Sequence, residues 1–593
     1  MMTRLTYSRK VAGSRKVAGL QRRLLTLVLT LAWLATPAGP HAAPDAPLAQ
    51  RARSARQALP GGGTLTVLEP GAPDTLDPLL TRTAAGADAT AGVFDALVRI
   101  DATGAPRPDL AARWTRSLDA RTWTFYLDRR AHWHDGEPVT ADDVAFTARL
   151  VRDARFGATA TRGFDHITSL VVGGSDVLTV TLRASFAPFL ATFGTTPILP
   201  EHVLGAIAPD RLRDYAPLSR HPIGSGPFVV AHFTADGRVV EAANADYFGG
   251  APHLDRLVIA PARSHQAALA ALSRAARSAS STLLPPALGL SPAEAAQLGG
   301  TPATGAPPRR AAHASGPARA VYTPSFAWTH LDLIEHGALA DPLVRRALAF
   351  ATPRDRIIAQ VLRGHGRLCD GDQAPGTPAY EPALHNAYRY NLRAARQLFG
   401  RAGFRRLKDG VLGRAGAPLS LNLWGDASCR TCVATLRVIA EGWRAAGVAS
   451  HLRLVPTTTL FGPHGPLYSP GRFRSSQYDA VLYAWVNGPD PDDSAYWTRA
   501  SLVTPAHPLC GNLDGYANAA VDALVTHALI TPNGPARDAL YRRIQRVLVA
   551  DEPDVFLFWA DAISVAPRRL RSYGPTPYDP AVTWNAQEWS VAK

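Results

Sequence analysis

Hydrophobic and polar side chains alternate most clearly in residues 122–127, which read Thr-Trp-Thr-Phe-Tyr-Leu. Period-two alternation of β-branched and aromatic side chains predicts a half-buried strand. The dipeptide Asp135-Gly136 then indicates a tight turn. Thr140 precedes Asp143 at the spacing of a capping box, and apolar residues follow. This part of the chain therefore predicts a strand, a turn and a capped helix.

Shorter patterns predict further elements along the chain. Strands are expected over 64–68, over 421–424 and after Tyr478, where the strand reaches Trp485. A helix is expected over 433–446, with Gly447 as its C-cap. Asp77 precedes Pro78, and we interpret its side chain as closing a turn rather than as a catalytic acid.

Length and composition indicate a globular protein of two or three domains. The chain has 593 residues, of which 46% are hydrophobic and 19% are charged, so it can bury an ample core. The formal net charge is +15, but seven basic residues precede Leu24. The remaining positive charge is almost all arginine without a basic run, which argues against nucleic acid as a partner.

The first 43 residues have the pattern of a secretory signal peptide. Residues 1–23 are basic, 24–35 form a largely apolar run, and Ala42 or Ala43 follows as a cleavage position. The apolar run is short for a membrane span, and no cysteine near the cleavage position would carry a lipid anchor. General secretion is favoured, with twin-arginine export as the alternative. We expect 44–60 to be a disordered lead-in.

The ordered motifs of the chain resemble the extracytoplasmic solute-binding proteins of family 5, the peptide, opine and nickel class that serves ABC importers. The similarity covers about 61–260 and 320–565. It rests on several motifs: the block 114–146 with Trp133-His-Asp-Gly136, Pro222-Ile-Gly-Ser-Gly-Pro-Phe228, Asp341-Pro-Leu-Val-Arg345, Tyr390-Asn391, Gly515-Tyr516 and Ala550-Asp-Glu-Pro553.

The resemblance implies an α/β fold of the periplasmic-binding-protein type (type II, cluster C), with two lobes and an additional inserted domain. Ligand would bind between the lobes. Residues 262–320 depart from the family pattern, and their structure is not predicted. The implied arrangement is lobe one from 61–100, 222–319 and 556–593, an inserted domain from 101–221, and lobe two from 320–555.

The resemblance also supplies six candidate ligand-binding residues: Trp424, Arg430, Tyr483, Trp485, Asn487 and Asp490. Some dipeptide-binding relatives carry an arginine for the ligand carboxylate at the place of Arg430, and a guanidinium suits a carboxylate bidentately. The alternative for Arg430 is a solvated arginine at the start of a helix.

Asn487 raises a question about the ligand, because peptide-binding members place an aspartate at this position. That aspartate neutralises the α-ammonium of the peptide. Asparagine accepts a hydrogen bond but does not cancel a charge, and a buried unpaired ammonium costs several kcal/mol. Two hypotheses follow: Asp490 or Asp492 takes over, or the ligand lacks a free amino terminus. We favour the second.

Four cysteines, Cys369, Cys429, Cys432 and Cys510, predict structural disulfides in an exported chain. Their connectivity is left open. A redox pair at Cys429 and Cys432 and a zinc site are the alternatives.

The sequence gives little support for catalysis. The acids at 142–143 lie at the start of a predicted helix, and those at 490–493 lie in the segment that resembles the family's ligand-binding loop. The sequence contains neither a Gly-x-Ser-x-Gly nor a His-Glu-x-x-His motif. His202 and His221 are isolated, which is weak support for a metal. We therefore expect no catalytic residue, no cofactor and no metal; a secreted hydrolase is the alternative of a different class.

The predicted function is that of a monomeric periplasmic substrate-binding subunit of an ABC importer. It would capture a peptide or peptide-like solute and deliver it to the permease and its ATPase subunits at the inner membrane. An opine, a glycoside or a metal chelate is the alternative solute.

Overall fold

Three β-sheets of four, five and six strands organise the fold. The structure is a computed structural model, and it describes residues 62–275, 281–299, 317–460, 478–504, 511–578 and 581–592. The predicted signal peptide, the lead-in and Cys510 lie outside the described residues. In the described part of the chain no helix combines the length and the apolar character that a membrane crossing needs.

The strands, in chain order, are β1 Thr64–Glu69, β2 Val98–Ile100, β3 Pro106–Pro108, β4 Ala111–Arg116, β5 Thr122–Leu127, β6 Ile167–Val172, β7 Val177–Leu182, β8 Phe228–Phe233, β9 Val239–Ala243, β10 Arg256–Pro261, β11 Ser281–Leu283, β12 Ala318–Leu333, β13 Gly366–Leu368, β14 Arg405–Arg406, β15 Leu412–Arg414, β16 Ala417–Pro418, β17 Ser420–Asp426, β18 Ala449–Val455, β19 Ala480–Val486, β20 Asp554–Pro567, β21 Leu570–Arg571 and β22 Ser590–Val591.

The α-helices, in chain order, are α1 Ala84–Ala91, α2 Ala141–Arg152, α3 Phe189–Thr192, α4 Glu201–Leu204, α5 Pro209–Leu212, α6 Ala216–Arg220, α7 His265–Ala275, α8 Pro292–Gly299, α9 Pro342–Phe350, α10 Arg354–Gln360, α11 Leu392–Arg401, α12 Arg430–Ala446, α13 Thr457–Leu460, α14 Ser494–Trp497, α15 Ala519–Ile530 and α16 Pro535–Asp551.

The five-stranded sheet has the order β11-β1-β10-β9-β8, and we call this part of the molecule the first lobe. Leu65 and Val67 on β1 are fully buried while their neighbours are partly exposed, so one face of the strand supplies the core. Residues 262–320, for which no structure was predicted, contribute α7, β11 and α8 to this lobe, and β11 forms its edge.

The four-stranded sheet has the order β4-β5-β7-β6, and we call it the inserted domain. On β5, Trp123, Phe125 and Leu127 are buried, as their alternation predicts. The predicted capping box is confirmed: the backbone N–H of Thr140 donates to the carboxylate of Asp143 at 2.8 Å, and α2 begins at the next residue.

The six-stranded sheet has the order β13-β20-β12-β19-β17-β18, and we call it the second lobe. Helix α12 packs on β17 and β18. It ends at Gly447, whose φ of 105° suits a left-handed C-cap, so the predicted cap is confirmed. A disulfide joins Cys429 to Cys432 at the start of α12, whereas Cys369 is a buried free thiol. The prediction of disulfides is thus confirmed for one pair.

Two long strands, β12 and β20, run through both lobes. They pair along almost their whole length, with a register shift between Pro324 and Trp328. On one side of the shift Val565 bridges to Leu284 of the first lobe. On the other side residues 555–558 are buried in the core of the second lobe. Residues 556–559, which begin the segment 556–593 expected in lobe one, pair through their backbone with β12 in the six-stranded sheet.

Candidate ligand-binding site

Strand β19 changes from buried to exposed as it leaves the sheet. Its first four residues, 480–483, are buried, whereas Ala484 and Val486 are exposed. The loop 487–493 follows and carries the predicted residues Asn487 and Asp490. Its sequence, Asn-Gly-Pro-Asp-Pro-Asp-Asp, is turn-forming. The loop thus begins at the end of β19 where the side chains of the strand are no longer buried.

The side chain of Asn487 is held on both sides by the second lobe. Its amide oxygen accepts a hydrogen bond of 2.9 Å from the indole N–H of Trp328. Its amide nitrogen donates to the backbone carbonyl of Asp372. Trp328 is fully buried, so the amide satisfies an indole N–H that has no access to water. Asn487 therefore fastens the start of the loop to the core.

Asp490 forms a bidentate ion pair with Arg537 of α16. The two nitrogens Nη1 and Nη2 donate to Oδ2 and Oδ1 at 2.8 and 2.7 Å. Arg537 is 1% exposed, so its charge depends on this carboxylate for compensation. Asp490 also caps the next turn, since its Oδ1 accepts from the backbone N–H of Asp492 at 3.0 Å.

Asp492 links the loop to the inserted domain. The guanidinium of Arg162 forms an ion pair with the carboxylate of Asp492 and donates to the hydroxyl of Ser494. Nearby, the backbone N–H of Ala187 in the inserted domain donates to the carbonyl of Leu529 at 2.7 Å. The second lobe and the inserted domain are therefore in contact at two places, one of them on this loop.

A buried carboxylate pair, Asp372 and Asp493, lies behind the loop. Asp372 is fully buried and Asp493 is 1% exposed. Burial raises the pKa of Asp372 to about 6, although the indole of Trp497, which donates to its Oδ2 at 2.8 Å, acts in the opposite direction. Burial and the carboxylates of Asp372 and Asp492 raise the pKa of Asp493 well above its usual range. Both carboxyl groups of this pair are therefore harder to ionise than an exposed acid.

The predicted aromatic residues Trp424, Tyr483 and Trp485 pack into one cluster. The rings of Tyr483 and Trp485 are 5.5 Å apart, and Trp424 contacts Tyr478 at 4.6 Å. Tyr483 is 6% exposed, and its hydroxyl donates to Asp332 inside the second lobe. Trp424 and Trp485 are the partly exposed members of the cluster.

Arg430 makes its contact with the first lobe rather than with the loop 487–493. Its Nη2 lies 2.9 Å from Oε1 of Glu294 on α8. Burial tends to raise the pKa of Glu294, but hydrogen bonds from Ser291 and His265 outweigh it and bring the pKa to about 2. Arg430 is thus one half of an ion pair between the lobes.

Sequence reasoning missed the partners that hold the loop: Arg162, Asp372, Arg537 and Trp497. Arg162, Asp372 and Arg537 lie far from the loop along the chain, whereas Trp497 follows it by four residues and acts through Asp372. The segment of Asp372 carries no family motif, and Arg537 is one of several arginines on α16. Only pairing across the fold distinguishes these residues from solvated ones.

The loop 487–493 thus lies at a surface between the second lobe and the inserted domain. Comparison with known proteins shows the family of the chain. A family model described as "Bacterial extracellular solute-binding proteins, family 5 Middle" matches residues 105–503. The chain belongs to this family. As a family 5 solute-binding protein it is a binding protein and not an enzyme.

Two curated relatives of this family 5 protein match over most of their length. Protein XP55 of Streptomyces lividans is 29% identical over 497 residues, which is 83% of each chain. Oligopeptide-binding protein AppA of Bacillus subtilis is 23% identical over 536 residues, which is 90% of this chain and 92% of AppA.

Solved structures confirm the two-lobed fold. That of B. subtilis AppA in complex with a nonapeptide has a TM-score of 0.70 at 22% identity and covers 90% of this chain and 99% of AppA. The ABC transporter substrate-binding protein CtaP from Listeria monocytogenes has a TM-score of 0.76 at 19% identity, covering 90% of this chain and all of CtaP.

Proposed function

We propose that this chain is the periplasmic substrate-binding subunit of an ABC importer and that it captures a peptide or peptide-like solute between its two lobes. Support comes from its family and from a relative named as an oligopeptide-binding protein. The partners would be a permease and its ATPase subunits at the inner membrane. The N-terminal pattern supports export through a signal peptide, and the protein would act as a monomer.

The proposal includes a domain arrangement and a closing motion. Lobe one would comprise 61–100, 222–319 and the end of the chain, with 101–221 inserted and lobe two from 320 onward. The register shift between Pro324 and Trp328, opposite residues 559–561 of β20, is the natural hinge because backbone pairing is interrupted there. Ligand would favour the closed state because it contacts both lobes only there.

One observation carries a finer proposal about the solute. Two acids of the loop 487–493 already have an arginine partner: Asp490 pairs with Arg537 and Asp492 with Arg162. Asp493 is buried beside Asp372, which raises its pKa and disfavours its ionised form, and Asn487 carries no charge. A free ammonium entering beside this loop would find no uncommitted carboxylate there. We infer that the solute lacks a free amino terminus, as in a blocked peptide, an opine-like conjugate or a glycoside.

Calorimetry with matched peptides tests this inference. A series of di- to pentapeptides with free amino termini is titrated beside the same series carrying N-acetyl groups. The acetylated series should bind more tightly, because burying an uncompensated ammonium costs several kcal/mol. Tight binding of the free-amine series alone would overturn the inference. Failure of both peptide series, together with binding of an opine or glycoside, would keep the binding function and replace the peptide.

Small-angle scattering tests the closing motion separately. A tight ligand should reduce the radius of gyration, since closure brings the lobes together. An unchanged radius on saturation with a ligand proven by calorimetry would count against a hinge at the β12–β20 register shift.

A further inference from the structure

Four polar side chains meet on one face of the central sheet of the second lobe. His330 and Asp332 lie two residues apart on β12 and therefore share a face. Asp554 on β20 is the direct partner of Asp332, and Tyr483 on β19 is the direct partner of His330. Their exposed fractions are 0% for His330, 2% for Asp332 and Asp554, and 6% for Tyr483. The group is a closed polar cluster inside the lobe.

The donor atoms of this cluster converge. His330 Nε2 lies 2.8 Å from Asp332 Oδ1 and 3.9 Å from Asp554 Oδ2. One ligand atom from each of these three residues falls within 4.8 Å of the other two. Among the described residues, no other group of three histidine, cysteine or acidic side chains comes together in this way.

The polar atoms of His330 and Asp332 that point away from the centre of the cluster already form hydrogen bonds. His330 Nδ1 lies 3.3 Å from the backbone carbonyl of Trp328, to which it donates as the N–H tautomer. The hydroxyl of Tyr483 donates to Asp332 Oδ2. With Nδ1 protonated, Nε2 presents a lone pair toward two carboxylates. Contacts of this kind around a histidine and a carboxylate are what orient metal ligands in proteins.

The cluster carries more negative charge than its own side chains balance. Two carboxylates face each other across neighbouring strands, which is unfavourable even at a surface. Asp514 is 6% exposed, and its carboxylate interacts electrostatically with that of Asp332, so a third acid lies beside the cluster. Within the described residues, Asp554 Oδ1 and Asp514 Oδ2 are buried without a hydrogen-bond partner. One imidazole cannot compensate three ionised acids, so the cluster needs either bound protons or a cation at its centre.

We propose that His330, Asp332 and Asp554 bind a divalent transition-metal cation. One imidazole nitrogen with carboxylate oxygens suits Zn²⁺ first and Mn²⁺ second. Bonds of about 2.0 to 2.2 Å place neighbouring ligand atoms about 3 to 3.5 Å apart, and the two observed distances lie on either side of that range. Ca²⁺ is a poor match because it takes about six to eight oxygen ligands.

The site is structural and is separate from solute binding. The cation would join β12 to β20, the two long strands that carry the second lobe. Because its ligands are buried, the ion would be taken up as the lobe folds, and its binding free energy would add to the stability of that lobe. No metal was expected from the sequence, where His202 and His221 were the histidines considered; positions 330, 332 and 554 form no recognisable ligand motif.

The test is metal analysis after refolding. The full chain is unfolded in guanidinium with a chelator and refolded in metal-free buffer or with Zn²⁺, Mn²⁺ or Ca²⁺ alone. After desalting, mass spectrometry of the elements should find about one equivalent of Zn²⁺ or Mn²⁺ per chain. The loaded protein should also have a higher Tm than the chelated protein. No retained ion in any arm would overturn the proposal.

Four variants show where the ion binds. His330→Gln and Asp554→Asn should lower retained metal at least tenfold, and Tyr483→Phe should weaken affinity about 10- to 100-fold through the lost contact to Asp332. The matched control is Glu241→Gln, which changes a fully buried acid of the first lobe and should retain the ion. Retention by His330→Gln would place the ion elsewhere and overturn the site.

The Tm of Asp554→Asn distinguishes a cluster that binds a cation from a cluster that binds only protons. If the cluster holds only protons, removing one buried carboxylate leaves the Tm unchanged or raises it. If it holds a cation, the same variant loses the ion and melts below the metal-loaded wild type. The proposal predicts the second result, and the first would overturn it.

Discussion

Arg537 and Asp490 form a two-point ion pair at the base of the candidate ligand loop, with nitrogen–oxygen distances of 2.8 and 2.7 Å. The arginine is almost fully buried, and it also donates to the carbonyl of Ala528 and to the hydroxyl of Tyr541. The loop that carries the candidate ligand residues is therefore anchored through its first acid to the long helix α16.

Asp490→Asn should destabilise the protein by about 3 kcal/mol, because it leaves a buried guanidinium without a counter-charge. Urea unfolding followed by circular dichroism measures the change. The double variant Asp490→Leu with Arg537→Leu should recover part of the loss, since it removes the buried charge with its partner.

The control for this prediction is an ion pair of the same type at the surface. Asp165 and Arg183 are 62% and 55% exposed in their side chains, and Asp165→Asn should cost less than about 1 kcal/mol. Equal effects at Asp490 and Asp165 would contradict the anchoring role.

Asn487→Asp is expected to weaken the protein without creating an ammonium site. The new carboxylate keeps an acceptor for the indole of Trp328, but its second oxygen faces the carbonyl of Asp372 in place of an N–H donor. Loss of this hydrogen bond and repulsion between two oxygens should cost about 2 kcal/mol. Tm measurements compare it with Asn487→Ala, which removes both hydrogen bonds without adding a charge. Tight binding of free-amine peptides by Asn487→Asp would show that position 487 alone decides this specificity.

Arg162→Gln should increase the affinity for an amine-bearing solute, because it releases the carboxylate of Asp492 from its partner. A hydrogen bond between charged groups contributes about 1.5 to 3 kcal/mol, so an increase of about tenfold is expected. Calorimetry with one free-amine peptide and its acetylated form measures the effect at low and high salt. Adding Asp492→Asn should abolish the gain, and an equal gain for both peptides would show that the released charge is not the cause.

Asp77 should make the free energy of unfolding depend on pH between about 4 and 7. It is 1% exposed, its Oδ1 accepts from the backbone N–H of Leu79 at 2.9 Å, and burial raises its pKa to about 7. The folded state thus binds this proton more tightly than the unfolded state, whose pKa is about 4. The contribution to stability is full below pH about 4 and is lost as the pH rises to about 7.

The variant Asp77→Asn keeps the acceptor for Leu79 but does not ionise. Its stability advantage over the wild type should grow from about 1 kcal/mol at pH 5 to about 4 kcal/mol at pH 8. Urea unfolding at the two pH values measures the difference, with Asp165→Asn as the surface control. A constant difference would mean that Asp77 keeps an ordinary pKa in the folded protein.

Local features of the fold were predictable from sequence, because neighbouring residues decide them. The capping box at Thr140 and Asp143, the turn closed by Asp77 and the C-cap at Gly447 all formed as expected. Pairing over long distances had no such signal. Nothing in residues 318–333 shows that they pair with 554–567, so this pairing was not predicted.

In the candidate site, too, the local segment was predictable from the sequence and its distant partners were not. Family resemblance located the loop 487–493 but not its partners, which are single residues on distant elements. Tyr483 illustrates the limit: it was expected at the ligand surface, whereas its burial and its hydrogen bond to Asp332 direct its hydroxyl into the lobe. Which side of a strand faces a cleft depends on the neighbouring strands, and these are not adjacent in the sequence.

The pairing of β12 with β20 sets the order in which the chain acquires structure. During synthesis the residues of β12 emerge more than two hundred positions before those of β20, so the second lobe lacks a central strand until nearly the whole chain is available. Contacts this distant in sequence form slowly. The six-stranded sheet can therefore be completed only after the residues from Asp554 onward are available, so its assembly is a late step in the folding of this chain.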